Sequence, residues 1–116
     1  MVKSDQAQNR SSPFTAYAEE QIKQRDNFVI LTGHRVTNIN WKDGDKIVAK
    51  GVTFQACKEC ESYSVDTKRE VLLAAGSLQS PQILELSGVG DLKVLAAAGV
   101  PFKMEMPAIG RHLQEQ

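Results

Sequence analysis

The sequence is short of cysteine, of long apolar runs and of any excess charge. Its 116 residues contain 14 Lys and Arg against 14 Asp and Glu, so the formal net charge is zero. Nucleic-acid-binding proteins normally carry a clustered basic excess, whereas the basic pair Lys68-Arg69 lies beside Asp66 and Glu70. A bilayer-spanning helix takes about 20 consecutive apolar residues, and the apolar runs here are much shorter. Composition therefore predicts neither a nucleic-acid partner nor a membrane span.

The two cysteines, Cys57 and Cys60, lie in the polar run ACKECES. A structural zinc site needs a second pair of Cys or His ligands, and the two histidines, His34 and His112, stand far apart in dissimilar contexts. A thioredoxin-type pair has its first cysteine at a helix N-terminus, whereas this run connects two strand-like segments. We interpret it as a loop and predict no metal site; a small C-x-x-C redox protein stays an alternative. Residues 1–6 have no apolar signal segment, and no compartment is predicted.

The N-terminal part predicts an arm followed by a helix. Residues 1–9 are polar and aperiodic, which is typical of a flexible arm. Ser12-Pro13 then places a hydroxyl cap before a proline, a frequent helix start. Apolar residues recur after it at helical spacing: Phe14, Tyr17, Ala18 and Ile22. We expect an amphipathic helix over residues 12–24.

Two short, wholly apolar runs predict strands that are buried on both faces. Residues 28–31 and 71–75 have the character of neighbouring strands in a parallel sheet. Between them the pattern changes to alternation, so residues 36–41 and 47–54, joined by an Asp-Gly turn, predict an antiparallel hairpin. A third antiparallel strand is expected to begin within residues 63–65.

The second apolar run ends in Ala74, Ala75 and Gly76, and a helix is predicted after it over residues 78–86. Small residues at a strand end let a ligand or another backbone approach closely, and a helix start offers unpaired N–H groups. A shorter helix is predicted over residues 91–98, with Asp91 as its cap and Gly99 after its end. The fold class that follows is α/β, with two buried strands of a parallel sheet, a three-stranded antiparallel excursion between them, and helices before and after.

The segment GSLQSPQILELSGVG, residues 76–90, resembles the second sequence signature of the glucose–methanol–choline (GMC) oxidoreductase family. That family consists of FAD-dependent alcohol and sugar oxidases and dehydrogenases. The resemblance extends to Arg10-Ser11-Ser12 before a helix, to RDNF followed by ILTGHRVTNI, and to AIGRHLQEQ, which is similar to the family's G-V-G-R-N-L-Q-D-H. It covers residues 9–116 and implies part of a Rossmann-like FAD-binding domain with a three-stranded antiparallel excursion.

The sequence also departs from the family pattern. Asp26 stands where the family usually has Pro, and His112 with Glu115-Gln116 replaces the usual Asn and Asp-His. The G-x-G-x-x-G fingerprint that holds the FAD pyrophosphate does not occur, nor does the later region with the active-site histidine. Residues 10–116 are therefore expected to be the central part of a GMC-type FAD-binding domain, an internal piece of a longer protein.

The resemblance implies a cofactor site without catalytic residues. Val36 matches the position whose main-chain N–H and C=O contact the adenine edge of FAD, and Ala74, Ala75 and Gly76 match the strand end that passes beside the cofactor. His34 is interpreted as a surface histidine, and no metal ligand is assigned. In the full-length protein the resemblance implies FAD and a small alcohol or sugar as partners. The alternative is a truncated, non-enzymatic module that does not bind flavin by itself.

Overall fold

The computed structural model describes residues 12–44 and 46–114. The arm predicted at residues 1–9 lies outside this part of the chain. Between Thr32 and Gly33 the chain divides into two compact units. The first contains a helix, and the second contains a three-stranded antiparallel sheet, two further helices and a pair of two-residue strands. The predicted α/β class is confirmed.

The helix of the first unit has its predicted start and end. A single π-helical turn, Phe14–Ala18, leads into α1, Glu19–Gln24. The Ser12 hydroxyl accepts a hydrogen bond from the N–H of Thr15 at 3.2 Å, which is the N-cap contact that a hydroxyl residue before Pro13 predicts. None of the helical residues is buried, however, and Tyr17 is 77% exposed. The apolar stripe of this helix therefore faces solvent.

The strand predicted at residues 28–31 does not form. These residues are extended without a ladder partner, and all four side chains are exposed, Val29 to 81%. The prediction of a strand covered on both faces was wrong. Its physical reason is that a parallel strand exists only beside a hydrogen-bonded neighbour, and no strand within residues 12–44 and 46–114 pairs with this one.

The predicted hairpin and its third strand are confirmed. In the second unit β1, Arg35–Trp41, pairs antiparallel with β2, Ala49–Gln55, which in turn pairs with β3, Ser62–Asp66. At Gly51 the two strands β2 and β3 come so close that an added Cβ would overlap the carbonyl oxygen of Val65. Only glycine fits at that position of the sheet.

The second predicted buried strand, residues 71–75, is also absent. The segment has no regular secondary structure, its Leu72 side chain is 82% exposed, and it pairs with no strand of the described chain. It is therefore not a neighbour of residues 28–31 in a sheet, as the apolar pattern predicted. An apolar run is typical of a strand buried in a parallel sheet, but the run itself does not show whether neighbouring strands are present.

Helix α2, Gly76–Leu86, begins two residues earlier than predicted, so Pro81 lies in its second turn and not its first. The earlier start is possible because Gly76 has a φ of +88°, which turns the extended chain into the helix. The Ser80 hydroxyl also accepts a hydrogen bond from the Ala75 N–H at 3.0 Å, outside the helical ladder. Together these two features cap the start of α2.

The remaining elements pack around a small core. Strand β4, Val89–Gly90, pairs in parallel with β5, Met104–Glu105, and α3, Leu92–Ala97, lies between them in the chain. Buried apolar side chains come from the sheet, both helices and β4, and are Ile39, Ile83, Val89 and Leu95. The buried side chains of the second unit thus come from β1, α2, β4 and α3 and form a core of modest size.

The predicted cap of α3 is confirmed. The Asp91 carboxylate accepts a hydrogen bond from the Lys93 N–H at 2.9 Å, and Gly99 after the helix has a φ of +66°. That bond from Lys93 lowers the pKa of Asp91, and the guanidinium of Arg111, 2.6 Å away, lowers it further. The same ion pair ties the end of the described chain to α3.

Cys57 and Cys60 form a disulfide in the exposed connection between β2 and β3. The loop interpretation is confirmed, since the segment is neither helix nor strand. Within the described residues no group of three or more His, Cys, Asp and Glu side chains is placed to hold a metal ion. The described helices also include none that is long and apolar enough to cross a membrane.

Candidate functional site

A cleft of the second unit lies between β1, α2 and the segment 71–75. Its volume is about 710 Å³, within the range of about 300–1,000 Å³ that is usual for small-molecule sites. Val52 of β2 and residues of all three surrounding elements line it. The described lining residues are apolar apart from four side chains, His34, Arg35, Gln79 and Gln82, and they include no carboxylate.

Three of the four site residues named from the sequence meet in this cleft. Val36 lines it from β1, and Ala74 and Ala75 line it from the segment before α2. Gly76 is exposed and does not belong to the lining, and no atom lies within 4 Å of the place where its Cβ would be. Gly76 therefore acts as a turn residue with a positive φ, whereas the two alanines form a wall without bulk.

Ser87 links the two main walls of the cleft. Its buried hydroxyl accepts a hydrogen bond from the Ile39 N–H at 2.8 Å and donates one to the Ile83 carbonyl at 2.5 Å. Because Ile39 and Ile83 both line the cleft, this one hydroxyl fixes the distance of β1 from α2.

Trp41 adds a second link between the same elements. Its indole N–H donates to the Ser87 carbonyl at 2.6 Å. Sequence reasoning assigned no role in the site to Ser87. The available signal was the position of Ser87 directly after α2, where free carbonyl groups need partners.

Arg35 and Gln82 bring polar groups together on one side of the cleft. The guanidinium of Arg35, at the start of β1, donates from Nη2 to Oε1 of Gln82 on α2 at 3.2 Å. His34 lies beside it, exposed as predicted, with its ring edge-on to Phe54 at a centroid distance of 5.7 Å. The cleft therefore combines apolar walls with one cationic, hydrogen-bonding side, which suits a flat ligand that has polar edges.

Among residues 12–44 and 46–114, no acid–base pair lines this site. His112, with a φ of 62°, does not line the cleft, and neither does the half-buried Glu85 of α2. The lining can bind and orient a ligand through backbone groups, an arginine and two amides.

Comparisons with known proteins agree with the motifs. A sequence profile of the GMC oxidoreductase family matches residues 1–116. A dehydrogenase of Armillaria gallica is 40% identical over 108 residues, which are 93% of this chain and 17% of that protein. The glucose oxidase of Penicillium chrysogenum is 46% identical over 96 residues, which are 80% of this chain and 15% of that protein.

A solved structure has the same fold. An FAD-dependent oxidoreductase from Chaetomium thermophilum matches with a TM-score of 0.68 at 33% identity, over 77% of this chain and 15% of that chain. The chain thus spans between 15% and 17% of the length of these three relatives. The resemblance drawn from the motifs is confirmed, and with a profile match along its entire length the chain belongs to the GMC oxidoreductase family.

Proposed function

We propose that residues 10–116 are the central part of an FAD-binding domain, in an oxidoreductase that acts on CH–OH groups of alcohols or sugars. In this proposal the cleft of the second unit holds the adenine side of FAD. The observation that carries it is the meeting of Val36, Ala74 and Ala75 in one cleft of suitable volume. The names of a glucose oxidase and an FAD-dependent oxidoreductase among the relatives support the substrate class and the cofactor.

The backbone of β1 supports a role for Val36. The Ile39 N–H points away from β2, because it donates to Ser87. Outward-facing residues alternate in a regular antiparallel strand, but the register shifts by one residue between Val36 and Asn38. Because of this extra residue, Val36 and Ile39 present their backbone groups to the same edge of β1. The N–H and C=O of Val36 therefore face away from β2 as well. An adenine edge offers the matching acceptor and donor groups.

The other lining residues also fit an adenosine group. Ala74 and Ala75 leave room for a flat ring against the backbone, and the absence of a carboxylate from the lining removes any repulsion of a phosphorylated ligand. When bound, FAD supplies the ring that accepts a hydride from the substrate carbon. The residues of this cleft bind and orient the adenine end, and no proton transfer is assigned to them.

A titration of the ¹⁵N-labelled chain with AMP tests the proposal, and FMN is the matched control because it lacks the adenine. We expect AMP to shift the amide signals of Val36, Ala74 and Ala75 and to leave Ser64 on the outer strand β3 unchanged. FMN should shift none of these four signals. Equal responses to AMP and FMN, or AMP shifts that avoid the cleft, would contradict an adenine site.

We also expect that the chain purified alone does not retain FAD. Segment 71–75 is one wall of the cleft, its Leu72 is exposed, and it has no ladder partner in the described chain, so ordering it on the ligand would weaken binding. The measurement is flavin absorbance in the purified protein. Stoichiometric, tightly held flavin would show that the missing glycine fingerprint is dispensable.

A further inference from the structure

Arg35 and Gln82 form a bridge across the cleft from β1 to α2. The Nη2–Oε1 hydrogen bond of 3.2 Å joins two side chains that are 47 residues apart in the sequence, and both line the cleft. Arg35 directly precedes Val36, the residue whose backbone is proposed to hold the adenine edge. The guanidinium therefore stands next to the place assigned to the base.

The partner of Arg35 leaves the guanidinium face available. Gln82 is a neutral amide and accepts from one nitrogen of the guanidinium. In residues 12–44 and 46–114, Arg35 has no ion pair with a carboxylate. A guanidinium is planar, delocalised and weakly hydrated, and it stacks well on aromatic rings. Among the other lining residues, Ala74, Ala75 and Ile83 have aliphatic side chains, which cannot stack on an aromatic ring as a guanidinium does.

We propose that Arg35, positioned by Gln82, covers one face of the adenine ring. This inference rests on the proposed function of the cleft and adds a residue that determines its preference for an adenine base. The position of Arg35 favours stacking of its guanidinium on the base over contact with a phosphate. If the adenine edge faces the Val36 backbone, the ribose and phosphates leave the ring on the opposite side.

The test compares adenosine and AMP binding to the full chain by ¹⁵N NMR titration. Arg35→Lys keeps the charge and removes the planar surface, and Gln82→Ala removes the tether. A cation over an exposed aromatic ring contributes enough to change affinity about two- to fivefold. We expect Arg35→Lys to weaken adenosine and AMP by the same factor within that range, and Gln82→Ala to weaken both less. Arg69→Lys, in the same unit and outside the cleft lining, is the control and should change neither affinity.

A geometric measurement accompanies the affinities. Ring current from a stacked adenine should shift the δ protons of Arg35 upfield and give contacts to the adenine H2 or H8 proton in a nuclear Overhauser spectrum. A loss of AMP affinity with unchanged adenosine affinity would assign Arg35 to a phosphate and overturn stacking. If the parent binds adenosine at Val36 and Ala75 but Arg35→Lys has no effect, this inference is wrong and the proposed function stands. If adenosine and AMP leave the cleft signals of the parent unchanged, both are wrong.

Discussion

The sheet β1–β3 and the segment 71–75 belong to the same compact unit, and both contain runs of apolar residues, yet of these two only the sheet forms a backbone ladder between strands. Each strand of the sheet pairs with the next strand in the chain, across connections of a few residues. A parallel strand reaches its neighbour only through a crossover of about a dozen residues or more. The described chain offers segment 71–75 no such neighbour, and Leu72 is exposed.

The sheet stabilises the fold, whereas segment 71–75 mainly forms a wall of the cleft. The sheet and its contact with α2 contain buried residues such as Ile39 and Ile83. Segment 71–75 contributes a wall of the cleft but little buried surface of its own. Substitutions in the sheet should therefore reduce the free energy of unfolding, whereas substitutions at exposed positions of the segment should not.

The largest expected effect is at Gly51. In Gly51→Ala the new methyl group would overlap the Val65 carbonyl oxygen, and the atoms nearest to it all belong to the backbone of β3, which cannot rotate away as a side chain can. We expect a loss of about 3 kcal/mol in the free energy of unfolding, with β3 detaching first. Urea unfolding followed by the fluorescence of Trp41, the single tryptophan, measures it.

Gly99→Ala is the control for Gly51→Ala. No atom lies within 4 Å of its added Cβ, so only its positive φ opposes the methyl group. The expected loss is about 1 kcal/mol. Equal losses at the two positions would mean that the close approach of β2 to β3 does not limit the sheet.

Ser87→Ala should have the next largest effect. It removes the hydroxyl between β1 and α2 and leaves the buried Ile39 N–H without its partner. We expect a loss of about 2 kcal/mol, together with shifts of the Val36 amide signal, because the width of the cleft changes. Ser62→Ala removes an exposed hydroxyl bonded to Gln55 and should stay within about 0.5 kcal/mol of the parent. A Ser87 variant as stable as the Ser62 variant would refute a link between the walls.

Much of this organisation could be predicted from local sequence signals. Alternation and an Asp-Gly turn are enough to predict the hairpin, and Asp91 with Gly99 is enough to predict the ends of α3. Contacts over long sequence separations could not be predicted this way. Ser87 bonds to Ile39 across 48 residues, and a serine after a helix has the same local pattern when it faces solvent.

The same limit applies to the apolar runs and to the site. The run at 71–75 predicts burial, because its side chains are apolar, but it carries no information on whether a neighbouring strand is present. Val36, Ala74 and Ala75 came from the resemblance to the family and not from composition. The Arg35–Gln82 bridge joins a strand to a helix, and no local pattern marks it.

A smaller effect is expected at the turn between the segment and α2. Gly76→Val places a β-branched side chain at a φ of +88°, where the added Cβ itself has open space around it. The loss should be about 1–2 kcal/mol and should come from backbone strain alone. Thermal unfolding of the variant beside Gly76→Ala measures it, and both variants should lose stability. Unchanged stability in both would show that the turn tolerates other conformations.

The smallest effect is expected at Leu72, where the two regions differ most clearly. Its side chain is 82% exposed, so Leu72→Gln should change the free energy of unfolding by no more than about 0.5 kcal/mol. Ile39→Ala, in the sheet and 7% exposed, should cost about 2 kcal/mol under the same conditions. Both values come from urea unfolding of the full chain. If Leu72→Gln lowers the free energy of unfolding as much as Ile39→Ala, segment 71–75 is buried in solution. The contrast between a hydrogen-bonded sheet and an unpaired segment would then be wrong.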